Sequence, residues 1–180
     1  MNRIFSFHVV SVDGYYQGPE GEFDWPNTDE GFLEFSVAQL KEIDTLVFGR
    51  RTYEHMAAYW PTSEALESDP VIAGLMNSYA KIVVSHTLAE PRWHNTEVIT
   101  DPALLRARRG TLAVFGSSEL TTSLLAAGLI DELRVMVHPV VLGAGRPLFH
   151  TADRRHSLTL TQSRTFTTGN VLLTYRPAGR

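Results

Sequence analysis

The decapeptide Thr45-Leu46-Val47-Phe48-Gly49-Arg50-Arg51-Thr52-Tyr53-Glu54 decides how the rest of the chain is read. Its first four residues are β-branched or large and apolar, the composition of a short strand buried on both faces. Gly49 breaks the run. Beyond it, Tyr53, Met56, Ala57 and Trp60 fall on one face of a helix. A strand that turns through glycine straight into a helix leaves free amide hydrogens at the carboxyl edge of a sheet. The helix start adds the positive end of its dipole, and this geometry receives phosphate. Arg50, Arg51 and Thr52 bring charge-assisted and hydroxyl donors to the same point. The same spacing also describes a plain strand-to-helix connection with solvated arginines, so a second unit elsewhere in the chain carries weight.

That second unit lies at 111–118. Residues 111–115 read as a buried strand, Gly116-Ser117-Ser118 follows, and a helix continues with Leu120, Leu124 and Leu125 inward. Gly128-Leu129 is its expected Schellman end. The serines and free amides here suit a diphosphate. Between the two units, Asp69-Pro70 and Asp101-Pro102 each place an N-cap and a proline at a helix start. Residues 81–85 and 97–100 read as further short strands.

The chain opens with an apolar strand over residues 3–12, ended by Asp13-Gly14. A glycine-rich loop follows, carrying Phe23, Trp25 and Pro26, aromatics that either line a pocket or pin the loop to the core. Asn27 with Glu30 resembles a capping box opening a helix whose apolar face holds Phe32, Phe35, Leu40 and Ile43. Asp29 and Glu30 sit in its first turn, as the dipole favours, or face a substrate at a pocket mouth. Residues 131–141 alternate Leu133, Val135 and Val137 against Arg134, Met136 and His138, a half-buried strand. A glycine-rich loop spans 142–149, and residues 158–166 and 171–175 form a hairpin through Thr168-Gly169-Asn170.

The pattern predicts an α/β fold: a mostly parallel sheet covered on both faces, with the strand at 131–141 and the hairpin adding antiparallel edges. Residues 1–180 contain no repeat, low-complexity segment or linker and read as a single domain. Ligands in such sheets bind beyond the carboxyl ends of the strands, where Asp13, Gly49, Ser85 and Gly116 are expected to converge.

With 180 residues, 43% hydrophobic and 20% charged, the chain has the composition of a soluble globular protein. A net charge of −4 argues against non-specific nucleic-acid binding. No cysteine is present, which excludes disulfides, thiolate catalysis and zinc–sulfur sites and fits a reducing cytoplasm. The seven histidines lack ligand spacing, so no metal site is expected. No run is long enough to span a bilayer, and the start reads as a strand rather than a leader.

Several short motifs now stand in order: Ser11-Val12-Asp13-Gly14; Phe48-Gly49-Arg50-Arg51-Thr52-Tyr53-Glu54; Ser85 with Thr87; Gly116 through Leu133; and Pro139-Val140-Val141-Leu142-Gly143-Ala144-Gly145-Arg146-Pro147-Leu148-Phe149. Together they resemble the dihydrofolate reductase-like superfamily, and within it the riboflavin-biosynthesis reductase (RibD C-terminal) branch. Ser117 stands where the family often has a second glycine, and His86 where the branch commonly has arginine.

The resemblance implies a three-layer αβα fold and an NADPH-dependent oxidoreductase of the CH–OH or CH–NH type. Gly49, Arg50, Arg51 and Thr52 would hold cofactor phosphates. Ser85 and His86 would face the adenosine 2′-phosphate, and Gly116, Ser117, Ser118, Glu119 and Leu120 would wrap the diphosphate. Asp13 would lie near the nicotinamide or substrate, with residues 23–30 closing over it. Asp13, Asp29 and Glu30 are then the candidate acids, and Trp25 and Arg146 the candidate substrate contacts, Arg146 for a ribose phosphate. The implied reaction is that of 5-amino-6-(5-phosphoribosylamino)uracil reductase. Reduction of dihydrofolate or a small carbonyl compound, or NADPH binding without turnover, are the alternatives. The hairpin at 158–175 is the expected surface of a homodimer, both by family likeness and because it ends in an edge strand.

Overall fold

The structure, a computed structural model, describes residues 2–149 and 154–178. The opening strand β1 (Asn2–Ser11) is followed by the three-residue β2 (Tyr15–Gln17) and by helix α1 (Glu30–Lys41). Asp29, rather than Asn27, caps α1: its Oδ1 accepts the Phe32 N–H at 2.8 Å. Asn27 instead gives its backbone N–H to Nδ1 of His138 at 3.2 Å.

The pivotal decapeptide folds as read, into β3 (Thr45–Gly49) running directly into α2 (Arg50–Tyr59). Leu46, Val47 and Phe48 are fully buried. A short helix that the sequence reading left out, α3 (Ser63–Ser68), is capped by Thr62, whose Oγ1 accepts the Ala65 N–H. Pro70 opens α4 (Pro70–Ser78), although the Asp69 side chain makes no cap bond there. Strands β4 (Ala80–Val84) and β5 (Thr96–Ile99) follow, then a 3₁₀ helix, Pro102–Ala107, capped by Asp101 on the Ala103 N–H at 2.8 Å. β6 (Gly110–Phe115) leads into α5 (Ser118–Ala126), which closes in the expected Schellman pattern: Leu129 N–H reaches Leu124 O at 2.8 Å. The chain ends in β7 (Glu132–His138), the two-residue β8 (Arg146–Pro147), β9 (Leu158–Thr165) and β10 (Val171–Pro177).

Eight strands form one sheet in the order β5-β4-β3-β6-β1-β7-β10-β9, while β2 and β8 pair separately. The first six are mutually parallel, and the β9–β10 hairpin joins β7 antiparallel. The sheet is therefore mixed and mostly parallel, but β7 departs from expectation. It lies inside the sheet, parallel to β1 and paired with β10 on its other side. The reason is α5: a helical crossover carries the chain over β1 and returns it in the same direction.

Helices α1, α2 and α4 cover one face around Phe5, Leu46, Phe48 and Val83. The other face, around Ile4, Val47, Leu112 and Val114, is covered by α5 and the 3₁₀ helix. β7 is also covered on both faces rather than one: Leu133 is buried, and so are Arg134, Met136 and His138 on the other face, whereas Val135 and Val137 are half-buried. Arg134 is tolerated inside because Glu132 (2.7 Å), Gln39 (3.1 Å) and Glu42 (3.0 Å) accept from its guanidinium, which also stacks over Phe5 at 4.1 Å.

Candidate functional site

All six parallel strands end on one rim. β3 leads into α2 on one face of the sheet, and its neighbour β6 leads into α5 on the other. Neighbouring strands whose helices depart to opposite faces leave a crevice between them. Gly49 and Gly116 sit at its two lips, and the turns pack into each other. A Cβ on Gly49 would lie 2.8 Å from Ser117 Oγ, and one on Gly116 would lie 3.2 Å from the Thr52 side chain. Gly116 has φ +62°, a conformation that favours glycine at this turn.

The two helix starts are not equivalent. At α2 the N-cap is Gly49, with no side-chain cap bond and no acidic residue in the first turn. At α5, Ser117 Oγ already accepts the Leu120 N–H at 3.4 Å, and Glu119 places an exposed carboxylate in the first turn. An anion finds open N–H groups and no competing charge at α2, so the decapeptide is the stronger half. Leu120 and Ser118 are buried, Leu120 within the core, so they offer backbone rather than side chain.

Next to β3, the end of β4 supplies hydroxyls. Ser85 Oγ accepts the N–H groups of Thr87 and Leu88, each at 3.1 Å. Thr87 Oγ1 accepts from Arg50 Nη1 at 2.9 Å, which joins the two rims and aims a guanidinium at them. Thr87 thus belongs to the site, although only its place after Ser85 hinted at it. His86 and Arg51 are exposed on either side. An uncapped helix start, a guanidinium, hydroxyls and a glycine turn make a donor set suited to a dinucleotide's phosphates.

On the β1–β7 side, the expected acids are otherwise engaged. Asp13 accepts the N–H of Leu142 at 3.1 Å and of Gly143 at 2.7 Å. A hydrogen bond from Ser11 and these two amides hold its carboxyl below the usual range, against some desolvation. Asp29 is likewise lowered by the Phe32 N–H, and its other oxygen takes the Thr167 hydroxyl at 2.9 Å. Both are ionised acceptors at neutral pH and poor proton donors. Glu30 does not reach this side: it lines the groove between α1 and α4 with Leu33, Glu34, Val37 and Asp69.

Trp25 pins its loop. Its ring meets His138 edge-on at 5.9 Å, with Phe23 at 5.5 Å on its other side and Phe32 against His138 at 6.0 Å. His138 thus sits at the centre of this aromatic cluster, although its place among the polar positions of β7 gave no sign of it. Burial lowers its pKa, and its Nδ1 receives the Asn27 amide, so the ring is the neutral Nε2–H form. Its Nε2 and the Trp25 indole nitrogen are buried without a protein partner. Arg146, on β8, is exposed beside Gln17 of β2. Among the described residues, no group of three or more His, Asp or Glu is placed to hold a metal ion, and no helix is long and apolar enough to cross a membrane.

Comparison with known proteins gives a consistent picture. The model of the RibD C-terminal domain matches residues 3–172. YyaP of Bacillus subtilis (strain 168) is 33% identical over 180 residues, covering 96% of this chain and 94% of its own. A Shewanella sp. PV-4 protein named for riboflavin biosynthesis superposes with a TM-score of 0.75 at 24% identity, over 97% of this chain and 98% of its own. Dihydrofolate reductase from Enterococcus faecalis, complexed with NADP(H), superposes with a TM-score of 0.64 at 17% identity, over 98% of this chain and 96% of its own. The fold is thus dihydrofolate reductase-like. The diaminohydroxyphosphoribosylaminopyrimidine deaminase/5-amino-6-(5-phosphoribosylamino)uracil reductase of Thermotoga maritima aligns at 15% identity and a TM-score of 0.65. That alignment covers 98% of this chain and 57% of the Thermotoga chain.

Proposed function

Because the chain belongs to the RibD C-terminal domain family, we propose that it is a reductase that uses NADPH to reduce a C=N or C=O carbon of a small heterocyclic substrate. The observation that carries this reading is the open start of α2, with Arg50 bonded to Thr87 beside it. In this reading the α2 amides with Arg51 and Thr52 hold one phosphate group of the dinucleotide. Arg50, Ser85, His86 and Thr87 surround its 2′-phosphate. The turn from Gly116 to Leu120 wraps the diphosphate through its backbone and through the Ser117 hydroxyl, whose oxygen accepts the Leu120 N–H and whose O–H is left to donate. Once bound, the nicotinamide supplies the hydride.

The chain's own residues orient and shield. Trp25, pinned on His138 and flanked by Phe23, closes the far side of the rim. Since Asp13 and Asp29 are committed acceptors, the proton that completes the reduction comes from solvent in this reading. The substrate proposed is 5-amino-6-(5-phosphoribosylamino)uracil, the compound in the Thermotoga neighbour's name, with Arg146 facing its ribose phosphate. The same commitment of both carboxylates also favours a second reading, in which the protein binds NADPH without turnover.

Titration with NADPH and NADH separately, followed by NADPH oxidation with this pyrimidine, dihydrofolate and simple carbonyl acceptors, tests both. Tight NADPH binding with oxidation supports the reductase, and affinity with no oxidation supports the second reading. If neither nucleotide binds, both are wrong.

A further inference from the structure

We propose that Asp13 is a positioning residue: its carboxylate clamps the glycine-rich segment 139–148 as a flap over the β1–β7 side of the cleft. The functional part of this rests on the reductase reading. The flap is attached by backbone at both ends. Val12 N–H reaches Val140 O at 2.8 Å, and Leu148 N–H reaches Gly14 O at 3.0 Å. Between these ties the β2–β8 pair brings Gly145 so close to Gln17 that a Cβ would strike its carbonyl. The middle of the flap, Leu142 and Gly143, gives both its amides to the two oxygens of Asp13, at 3.1 and 2.7 Å.

Asp13 follows β1 directly, and its carboxylate is oriented by Ser11, whose Oγ also accepts the Tyr15 N–H at 3.0 Å. The backbone ties fix the ends of the segment, and the Asp13 carboxylate, just beyond β1 in the middle of the sheet, holds down its turn at Leu142 and Gly143. That segment carries Arg146. The dinucleotide reading occupies the β4–β3–β6 side of the rim, which leaves the β1–β7 side, next to the flap, to the substrate in this reading. Flap height should then govern substrate affinity and leave cofactor affinity alone.

The isosteric variant Asp13→Asn keeps the shape but can accept only one of the two amides and turns an N–H toward the other. Asp13→Glu keeps the charge and both acceptor oxygens. Hydrogen exchange of the Leu142 and Gly143 amides, measured on the full chain, reads the clamp directly. We expect exchange about tenfold faster or more in Asp13→Asn, as for loss of a charge-assisted bond, with partial protection retained in Asp13→Glu. The NADPH dissociation constant should stay within about twofold in both variants, while KM for 5-amino-6-(5-phosphoribosylamino)uracil rises about tenfold in Asp13→Asn at near-constant kcat.

Unchanged exchange in Asp13→Asn overturns the clamp. So does a loss of NADPH affinity as large as the loss of protection, because Asp13 would then act in the cofactor site. If the wild-type chain binds no NADPH while the exchange difference holds, the clamp stands and the reductase reading falls.

Discussion

Gly49 and Ser117, 68 positions apart in the chain, touch across the cleft: a Cβ on Gly49 would lie 2.8 Å from Ser117 Oγ. Gly49 has φ −77°, so alanine suits its backbone and the obstacle is purely the neighbouring hydroxyl. Gly49→Ala should push Ser117 off its bond to Leu120 N–H and spread the two turns. We expect a stability loss of about 1–2 kcal/mol, as for other overpacked sites, and at least tenfold weaker NADPH binding. Urea denaturation and calorimetric titration read the two effects. A variant that binds as wild type would show that the contact has no part in the site.

Arg50 bridges to Thr87 at 2.9 Å and, among the described residues, otherwise meets only Glu54, at 3.8 Å, so its guanidinium has donors to spare. Arg50→Ala should weaken NADPH about tenfold or more through a lost charge-assisted contact, and NADH far less. Equal losses for the two nucleotides would remove Arg50 from the 2′-phosphate.

Glu132 is buried between Arg3 (2.9 Å) and Arg134 (2.7 Å). Burial alone would raise its pKa, but hydrogen bonds and charge from the two arginines more than offset this, and the net shift is downward. A lowered carboxyl contributes stability above its unfolded pKa and loses it as pH falls through the folded value. Glu132→Gln should therefore cost about 3 kcal/mol at pH 7, by leaving Arg134 buried and half-paired. The cost should shrink in acid, which denaturation at pH 7 and pH 3 can compare.

His8 is buried against α5, with Nε2 2.9 Å from Thr121 Oγ1, and burial pushes its pKa down to about 4. Between that value and its ordinary 6.5 the unfolded chain binds the extra proton, so stability rises with pH across this window. Lowering the pH from 7 to 4 should thus cost about 3 kcal/mol from this group. His8→Gln, which keeps a partner for Thr121, should flatten that slope. His138, also lowered by burial, contributes with the same sign, so the slope should diminish rather than vanish.

The outer edge of β9 has no strand partner among the described residues, and Leu160 beside it is 50% exposed. We expect two copies to cover this edge by pairing antiparallel with each other. Light scattering should report a dimer that Leu160→Glu dissociates. A wild-type monomer at micromolar concentration would rule the pairing out.

Much of this was legible in the residue order. The run 45–54 told of a strand, a glycine turn and a helix because β-branched burial, glycine and helical periodicity are all local signals. Gly128-Leu129 and Asp101-Pro102 marked element ends for the same reason. Capping was less secure: Asn27 and Asp29 are both good caps, and Asp29 won because Thr167, from the distant hairpin, holds its second oxygen. β7 reads as half-buried because hydropathy counts Arg134 and His138 as polar, yet the fold covers both of its faces. Inside the fold, Glu132, Gln39 and Glu42 accept from the first, and the Asn27 amide donates to Nδ1 of the second.

The sequence by itself determined the elements and the kind of chemistry at their ends, since propensity, capping and glycine turns act over a few residues. Only the tertiary structure decided which ends meet. β6 lies against one side of β3, which sets Gly49 against Ser117, and β4 lies against the other, which sets Arg50 against Thr87. It likewise turned Asp13 from a free acid into an acceptor for a loop 129 residues away. Strand order depends on crossover handedness and on burying both faces of one sheet, and no local stretch carries that information.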